Sequence, residues 1–191
     1  MSAVSQTLWL TEVLASTNED EIKNTWLDFV GGRPNGGPGL YDLLADELYG
    51  LALWTTGSAD DACDVVQTVF LKLLERRPAL GRVRHPRSYI LRMTRSASID
   101  VLRRRRPTID VAEVEIPILA SDPARRVDAR RISQLLIRLP PNQRATVYLR
   151  LFSDLSFRQI GVITGAPTFT AASRFRLALQ RLRTWVERPK R

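Results

Sequence analysis

Residues 155–167 read LSFRQIGVITGAP, a run that predicts a short helix, a tight turn and the start of a second helix. Ser156 can cap the first helix, and Gln159 stands three positions later, where a capping-box partner reaches back. Gly165 suits the turn because glycine tolerates a left-handed backbone. The arrangement predicts a helix-turn-helix, a motif whose second helix enters the major groove of duplex DNA.

The second helix of this motif has two distinct predicted faces. Its inward face is expected to hold Phe175, Leu179, Leu182 and Val186. Its outward face near the N-terminal half is expected to present Thr170, Ala172, Ser173, Arg174 and Arg176. Arg174 and Arg176 are the best candidates for phosphate or guanine contacts, because a guanidinium is always charged and can bond bidentately. The alternative is an ordinary solvated helix face.

The net charge of +9 is divided unevenly along the chain. Residues 1–80 hold 5 Lys or Arg and 12 Asp or Glu, a net charge of −7, whereas residues 81–191 hold 24 and 8, a net charge of +16. The basic part suits a polyanion, and the acidic part suits a basic protein surface. The alternative is that both parts are solvated faces that keep the protein soluble.

The composition of the 191 residues excludes several function classes. The single cysteine, Cys63, cannot form an internal disulfide, and the single histidine, His85, removes most metal and Ser-His-Asp chemistry. There is no Gly-rich phosphate loop after a strand and no pair of catalytic carboxylates. We therefore expect no catalytic residue, no metal and no cofactor. A basic leader and a membrane-length apolar run are also missing, which predicts a soluble cytoplasmic protein with no membrane insertion.

Apolar positions spaced three or four residues apart predict helices along most of the chain. In the first half they fall at about 18–30 from an Asn18 cap, from Leu40 for three to four turns, at 59–77 and at 87–106. Glycines and prolines predict a loop over 31–39, Gly57 and Ser58 a break, and 78–86 a basic loop. From residue 129 the helical pattern resumes at Ile132, Leu135, Leu136 and Leu139.

The resulting fold class is all-α, with two small helical domains joined by a linker and a helix-turn-helix in the C-terminal one. The predicted boundaries are an extension over 1–19 without an assigned role, a first domain over 20–106, a linker over 107–128 and a second domain over 129–191. Three prolines and five acidic residues favour a linker for 107–128, and a strand is the alternative there.

The helix over 87–106 combines arginines with an aromatic ring. Its candidate DNA contacts are Arg87, Tyr89, Arg92, Arg95, Ser96 and Arg103. Cations that follow the backbone and a ring that receives an unstacked base suit single-stranded DNA. The alternative is that Tyr89 belongs to the core and the arginines form a solvated helix end.

Three motifs in order resemble those of bacterial sigma factors. Residues 87–104, RSYILRMTRSASIDVLRR, resemble the family's promoter-melting and minus-ten-reading helix, R-x-W-L-x-x-I-A-R-N-x-x-x-D-x-L-R-R. Residues 64–70, DVVQTVF, are similar to the D-x-x-Q-x-x-F signature that binds the clamp helices of core RNA polymerase. Residues 139–144, LPPNQR, and the helix-turn-helix resemble the fourth conserved region, which reads the minus-thirty-five element.

The resemblance covers about residues 20–186, and only regions two and four appear, as in the extracytoplasmic-function group. It implies an alternative sigma factor whose partners are core RNA polymerase and promoter DNA, with an anti-sigma factor as a further candidate. It assigns the polymerase-binding role to Asp60, Asp61, Asp64, Gln67 and Leu71. The six arginine-helix residues would read the minus-ten element, and the outward residues of the last helix the minus-thirty-five element.

This sequence departs from the family pattern at Tyr89, where Trp is usual, at Ser96, where Asn is usual, and at Thr68, Phe169 and Ala172. The first alternative function is a free-standing helix-turn-helix regulator that binds duplex DNA without polymerase. It leaves the acidic 64–70 motif and the arginine-rich helix without a purpose. The second is an interaction protein that binds polymerase without melting promoters.

Overall fold

The structure, a computed structural model, describes residues 19–104 and 134–187 of the 191-residue chain. Within these two ranges the regular secondary structure is helical throughout, which confirms the all-α class. The proposed Asn18 cap, the predicted linker, Ile132 and nearly all of the 1–19 extension lie outside the described residues. We call residues 19–104 the front half and residues 134–187 the rear half.

The helices succeed one another with short connections. They are α1 Glu19–Val30, α2 Gly36–Thr56, α3 Ala59–Arg76, a 3₁₀ helix Arg77–Arg82, α4 Pro86–Arg104, α5 Pro141–Leu151, α6 Phe157–Thr164 and α7 Thr168–Glu187. Residues 134–137 are also helical.

Helix α2 is the centre of the front half, and α1, α3 and α4 pack around it. The leucines that the sequence places on one face of this helix, Leu40, Leu44, Leu48 and Leu51, are all fully buried. Trp26 of α1 joins the same core, as the spacing predicts. Because burial of each such side chain contributes about 1.5–3 kcal/mol, this cluster is the main source of stability in the front half.

Helix α2 begins earlier than the sequence predicts, because the last residues of the expected 31–39 loop are helical. Pro38 is tolerated there, since the first turn of a helix leaves its N–H groups unpaired in any case. Gly36 is required by packing, because a Cβ at this position would lie 2.3 Å from the backbone nitrogen of Phe29. The close approach of α1 therefore overrides the weak helix propensity of glycine.

The break between α2 and α3 forms as predicted. Gly57 adopts a left-handed conformation with φ of 77° and donates its N–H to the carbonyl of Leu53. Ser58 then caps α3 by accepting a hydrogen bond from the Asp61 N–H.

The predicted basic loop over 78–86 is wrong in its first half, where the chain forms the 3₁₀ helix. Pro78 stands at the start of this helix and Leu80 is buried in the core. One apolar contact thus orders a segment whose composition favours a loop.

The rear half is built around α5, which contacts both α6 and α7. The helix-turn-helix is confirmed in detail. Ser156 Oγ accepts from the Gln159 N–H at 3.3 Å, and Gln159 Oε1 accepts from the Ser156 N–H at 2.9 Å, which completes the capping box. Gly165 ends α6 in the left-handed conformation, with φ of 63°.

The inward face of α7 differs from the predicted one. Ala171 and Ala178 are fully buried, and Phe175, Leu182 and Trp185 are partly buried beside them. The predictions for Leu179 and Val186 are wrong, because these side chains are 42% and 52% exposed. The five inward residues follow one another at spacings of four and three. The inward positions of Phe175 and Leu182 agree with the prediction, whereas Ala178 and Trp185 stand one residue before the predicted Leu179 and Val186.

Candidate protein and nucleic-acid interfaces

An open groove between α3 and α4 is lined by part of the 64–70 motif. Asp64, Gln67 and Leu71 line this groove together with Asp100 and Arg104 of α4. Leu71 is 60% exposed and adds an apolar side chain beside these charged groups. Asp60 and Asp61 lie in the first turn of α3. The structure therefore brings three of the five predicted polymerase contacts to one surface, with the other two on the same helix.

A second groove next to this one is almost entirely apolar. Phe70, the last residue of the motif, is half-buried and packs its ring 5.0 Å from that of Tyr41. Tyr41, Phe70 and Leu74 line the groove with Phe29 and Pro38. Phe70 thus belongs mainly to the packing of the front half.

Helix α4 presents only part of its predicted DNA-contacting set to solvent. Arg92, Ser96 and Arg103 are exposed, and Arg103 lies 3.7 Å from the carboxylate of Asp100. Tyr89 is half-buried, with its ring 6.2 Å from that of Trp26. The packed position of Tyr89 agrees with the core alternative for this residue.

Arg87 is not presented to solvent in this structure. Its Nε and Nη2 donate to the two carboxylate oxygens of Glu47 at 3.0 and 2.8 Å, and its Nη1 donates to Glu19 at 3.2 Å. Its Nη2 also donates to the carbonyl of Ser153 in the rear half at 3.2 Å. Burial by itself would lower the pKa of Arg87, but the hydrogen bonds and charges of Glu47 and Glu19 outweigh it and raise the pKa. Arg87, which the sequence predicts as a DNA-contacting cation, is therefore buried in an ion pair with Glu47.

Arg95 lies where α4 approaches the rear half. Its Nη2 donates to Oδ1 of Asn142 at 2.6 Å. Burial lowers the pKa of Arg95, and the positive charges of Arg174 and Arg103 lower it further. A predicted minus-ten contact and a predicted minus-thirty-five contact therefore lie near enough to repel each other.

On α7, Arg176 is exposed, and its Nη2 lies 3.5 Å from the Ser173 hydroxyl. The other predicted contacts of this helix are half-buried: Thr170, Ala172, Ser173 and Arg174. The structure brings all five to the N-terminal half of α7, as the sequence predicts.

The residues that join the two halves were not identified from the sequence. The Arg144 guanidinium donates to the carbonyl of Thr55 at 2.7 Å and to that of Ile137 at 2.8 Å, and burial lowers its pKa to about 10. The Tyr148 hydroxyl donates to the carbonyl of Glu47 at 3.1 Å. The sequence signal that could have located this contact is Gly50, because a glycine inside a helix often marks a close approach of another chain segment. A Cβ at Gly50 would lie 2.1 Å from the Tyr148 hydroxyl oxygen.

An aromatic cluster completes this contact between the halves. The ring of Trp54 lies 5.7 Å from that of Tyr148 and 5.0 Å from that of Phe152. Tyr148 and Phe152 stack with their centroids 5.4 Å apart. Such pairs add about 0.5–1.5 kcal/mol each beyond their buried area.

In the described part of the chain, no cluster of three or more His, Cys, Asp or Glu residues has the arrangement needed to hold a metal ion. Among the same residues no helix is both long enough and apolar enough to cross a membrane.

The described residues form an all-helical protein whose rear half carries a helix-turn-helix and whose front half carries an acidic helix and an arginine-bearing helix. Comparison with known families gives two matches. The family described as Sigma-70 region 2 matches residues 40–108, and the one described as Sigma-70, region 4 matches residues 129–182.

Relatives of known function agree with these matches. The chain is 31% identical over 132 residues to the ECF RNA polymerase sigma factor RpoE of Cereibacter sphaeroides, covering 64% of this chain and 68% of that relative. It is 28% identical over 140 residues to the RNA polymerase sigma factor SigV of Bacillus subtilis, covering 72% of this chain and 82% of SigV.

A solved structure, that of CnrH in complex with the cytosolic domain of CnrY, shares the fold with a TM-score of 0.68 and 17% identity. The superposition covers 87% of this chain and 97% of CnrH.

The chain belongs to the sigma-70 family of RNA polymerase sigma factors, in the extracytoplasmic-function group. It is an alternative sigma factor that directs promoter recognition, and its partners are core RNA polymerase and promoter DNA. The family resemblance inferred from the three sequence motifs is confirmed, and the free-standing regulator is not favoured.

Proposed function

We propose a division of labour among three helices of this sigma factor. Helix α3 binds core polymerase through Asp60, Asp61, Asp64, Gln67 and Leu71. Helix α4 captures unpaired bases of the minus-ten element, and α7 reads the minus-thirty-five element as duplex DNA. The synthesis of RNA belongs to the polymerase, so this chain needs no catalytic residue of its own.

The polymerase-binding role rests on the groove that Asp64, Gln67 and Leu71 share. An exposed leucine flanked by a carboxylate and an amide fits a basic protein helix better than it fits DNA, because phosphates would be repelled by Asp64. The net charge of −7 over residues 1–80 favours the same partner.

The minus-ten role rests on Arg92, Ser96 and Arg103, which are the most exposed members of the α4 set. Arginines interact with phosphates along a single strand without selecting a sequence, so base selection needs a further pocket or ring. Capture of unstacked bases offsets the free energy that melting costs, about a few kcal/mol per flipped base. Polymerase supplies the rest of the binding surface.

The proposed anti-sigma partner is supported by the neighbour CnrH, whose structure was solved in complex with the cytosolic domain of CnrY. A protein of that kind would compete with polymerase for the front half of this chain. The chain would act in the cytoplasm, where bacterial transcription takes place.

The polymerase-binding proposal is tested by the double variant Asp64→Ala with Gln67→Ala. We expect the affinity of this variant for purified core enzyme, measured as holoenzyme formation by gel filtration, to fall at least about tenfold, which is about 1.4 kcal/mol. Glu75→Ala removes an exposed acidic residue from the same helix and serves as the control. Equal assembly by the double variant and the control would exclude this surface.

The minus-thirty-five proposal is tested by Arg174→Ala. If Arg174 reads a base, the variant holoenzyme binds a promoter with an intact upstream element more weakly by about 1–3 kcal/mol, and transcription from that promoter falls accordingly. On a promoter with a scrambled upstream element, the variant and the unsubstituted chain should give equal transcription. Arg183→Ala removes an exposed arginine from the far end of the same helix. Equal losses for Arg174→Ala on intact and scrambled elements would show that Arg174 makes no base contact.

A further inference from the structure

Phe169 is the most exposed of the large apolar side chains that the structure describes, with 73% of its surface open to solvent. It is the second residue of α7, the second helix of the helix-turn-helix, and it is not among the DNA contacts that the sequence predicts for this helix. Its ring lies outside the buried cluster of the rear half. A single exposed apolar side chain is common on protein surfaces, so the inference depends on where this ring lies.

Phe169 lies on the side of α7 that faces away from the rest of the rear half. Ala171 and Ala178, which are fully buried, mark the inward side of the helix. Since successive residues are about 100° apart around the axis, Phe169 lies about 160° from Ala171 and about 180° from Ala178. Ser173 and Arg176 follow Phe169 at spacings of four and three residues, so all three share one side. The 3.5 Å approach of Arg176 Nη2 to the Ser173 hydroxyl agrees with this placement.

The backbone that carries Phe169 is held in place on both sides. The carbonyl of Pro167 accepts a hydrogen bond from the Ala171 N–H at 3.1 Å. Helix α6 approaches the same turn so closely that a Cβ at Gly161 would lie 2.6 Å from the carbonyl oxygen of Ala166. Because Ala171 is fully buried, the start of α7 cannot rotate about its axis without losing this packing. The outward direction of the Phe169 side chain is therefore built into the fold.

The chemistry of a phenyl ring restricts what it can contact on duplex DNA. The ring has neither a hydrogen-bond donor nor an acceptor, so it cannot bind phosphate or pair with the polar edge of a base. The major groove displays one apolar group, the C5-methyl of thymine, and phenylalanine is among the side chains that contact it. In a helix-turn-helix, the N-terminal residues of the second helix are the ones that reach base edges. Phe169 belongs to this part of α7.

Phe169 and Arg176 can contact the same promoter element. They are seven residues apart, which is about 10 Å along the helix at about 1.5 Å per residue. This distance equals about three base-pair steps of about 3.4 Å each. A thymine at Phe169 and a guanine or phosphate at Arg176 therefore fall within one short stretch of duplex.

We propose that Phe169 is a specificity-determining residue of this sigma factor: its ring contacts the C5-methyl group of one thymine in the minus-thirty-five element and selects an A·T pair of one orientation at that position. The inference rests on the proposed role of α7 in reading this element.

The contact is tested by binding of the complete holoenzyme to a promoter with an intact upstream element. Each thymine of the element, on both strands, is replaced singly by deoxyuracil, which removes the C5-methyl group and keeps the hydrogen-bonding groups of the base. We expect the affinity of the unsubstituted holoenzyme to fall about three- to fourfold at one position, the effect of exposing one buried methyl group. With Phe169→Ala, promoters that carry thymine or deoxyuracil at that position should bind equally.

Leu179→Ala is the matched control, because it removes an apolar side chain that is 42% exposed and lies ten residues further along α7. Holoenzyme with this variant should keep the preference for thymine. Phe169→Ala removes an exposed side chain, so it is not expected to unfold the rear half, and circular dichroism checks the helix content. The deoxyuracil series with the unsubstituted chain tests the contact without any substitution in the protein.

Three results would overturn the contact. The first is that no thymine of the element responds to deoxyuracil, and the second is that the response persists in Phe169→Ala. The third is an equal loss of binding by Phe169→Ala on intact and scrambled elements, which would assign the ring to a protein partner. Failure of the proposed function has a different signature, because the unsubstituted holoenzyme would then bind intact and scrambled elements equally.

Discussion

The two helices proposed to bind DNA, α4 and α7, have nearly equal lengths of 19 and 20 residues but very different degrees of burial. Helix α4 buries seven residues, including the charged Arg87, whereas α7 buries only Ala171 and Ala178. The difference shows that α4 is part of the scaffold of the front half. Helix α7 is held mainly along one narrow stripe, which leaves most of its surface for other contacts.

The stability of the rear half therefore depends on α5. Seven of the eleven residues of α5 are buried, and the helix contacts α2 on one side and α7 on the other. Gln143 of α5 also accepts a hydrogen bond from Arg181 of α7 at 3.1 Å. We therefore expect substitutions in the front core and in α5 to lower the free energy of unfolding strongly. Substitutions in the turn that leads to α7 should lower it less.

The largest effect is expected for Glu47→Ala. Its carboxylate is the main acidic partner of buried Arg87, and the other acidic partner, Glu19, has a side chain that is 61% exposed. Removing one member of a buried ion pair leaves an uncompensated charge and costs about 3–5 kcal/mol. Urea denaturation should show this loss, whereas Asp46→Ala, at an exposed neighbouring acid, should change stability by less than about 0.5 kcal/mol. Equal effects would mean that α4 is not anchored through Arg87.

An intermediate effect is expected for Leu149→Ala in α5. Leu149 is fully buried, so the truncation leaves a cavity and should cost about 2–5 kcal/mol. Leu151→Ala, two residues later and 47% exposed, is the matched control and should be nearly neutral. Thermal unfolding followed by circular dichroism compares the two. If Leu149→Ala leaves the unfolding temperature unchanged, α5 is not the central helix of the rear half.

The smallest effect is expected for Gly165→Ala in the turn between α6 and α7. A Cβ at this glycine would meet no atom within 4 Å, so the cost is the backbone strain of a left-handed φ of 63° alone. That strain amounts to about 1–2 kcal/mol. Hydrogen exchange should place the loss in α6 and α7 and leave the front half unchanged. If hydrogen exchange rises equally in α1–α4, the stability of the front half depends on this turn, which contradicts the prediction.

Most of the helical architecture could be predicted from the sequence, because the fold is governed by local signals. The leucine periodicity of α2, the Ser58 cap and the Ser156–Gln159 capping box are all readable within one or two turns. The same holds for the family motifs over 64–70, on α3, and over 87–104, on α4.

The errors fall where distant contacts outweigh local preference. Gly36 is helical because α1 requires its close approach, and Leu80 orders a segment that local composition assigns to a loop. The face of α7 is set by Ala171 and Ala178, since small residues fit against α5 and α6 more closely than Leu179 would.

The candidate site was predicted as a set of residues but not as an arrangement. Arg87 carries the family pattern at its position, yet only the fold reveals that Glu47, forty residues earlier, holds it in the interior. The docking of the rear half depends on Tyr148 and Gly50, which are separated by almost one hundred residues and share no motif. Pairings at such separations leave no periodic signal in a single sequence.

The central claim is that this chain gives core RNA polymerase the ability to recognise and open a promoter. The most direct measurement is permanganate reactivity of thymines around the minus-ten element of a target promoter, with core enzyme and the purified chain together. We predict reactive, unpaired thymines only when both proteins are present, and loss of the signal with Asp64→Ala and Gln67→Ala combined. Reactivity that is absent with both proteins, or equal with core enzyme alone, would contradict the claim.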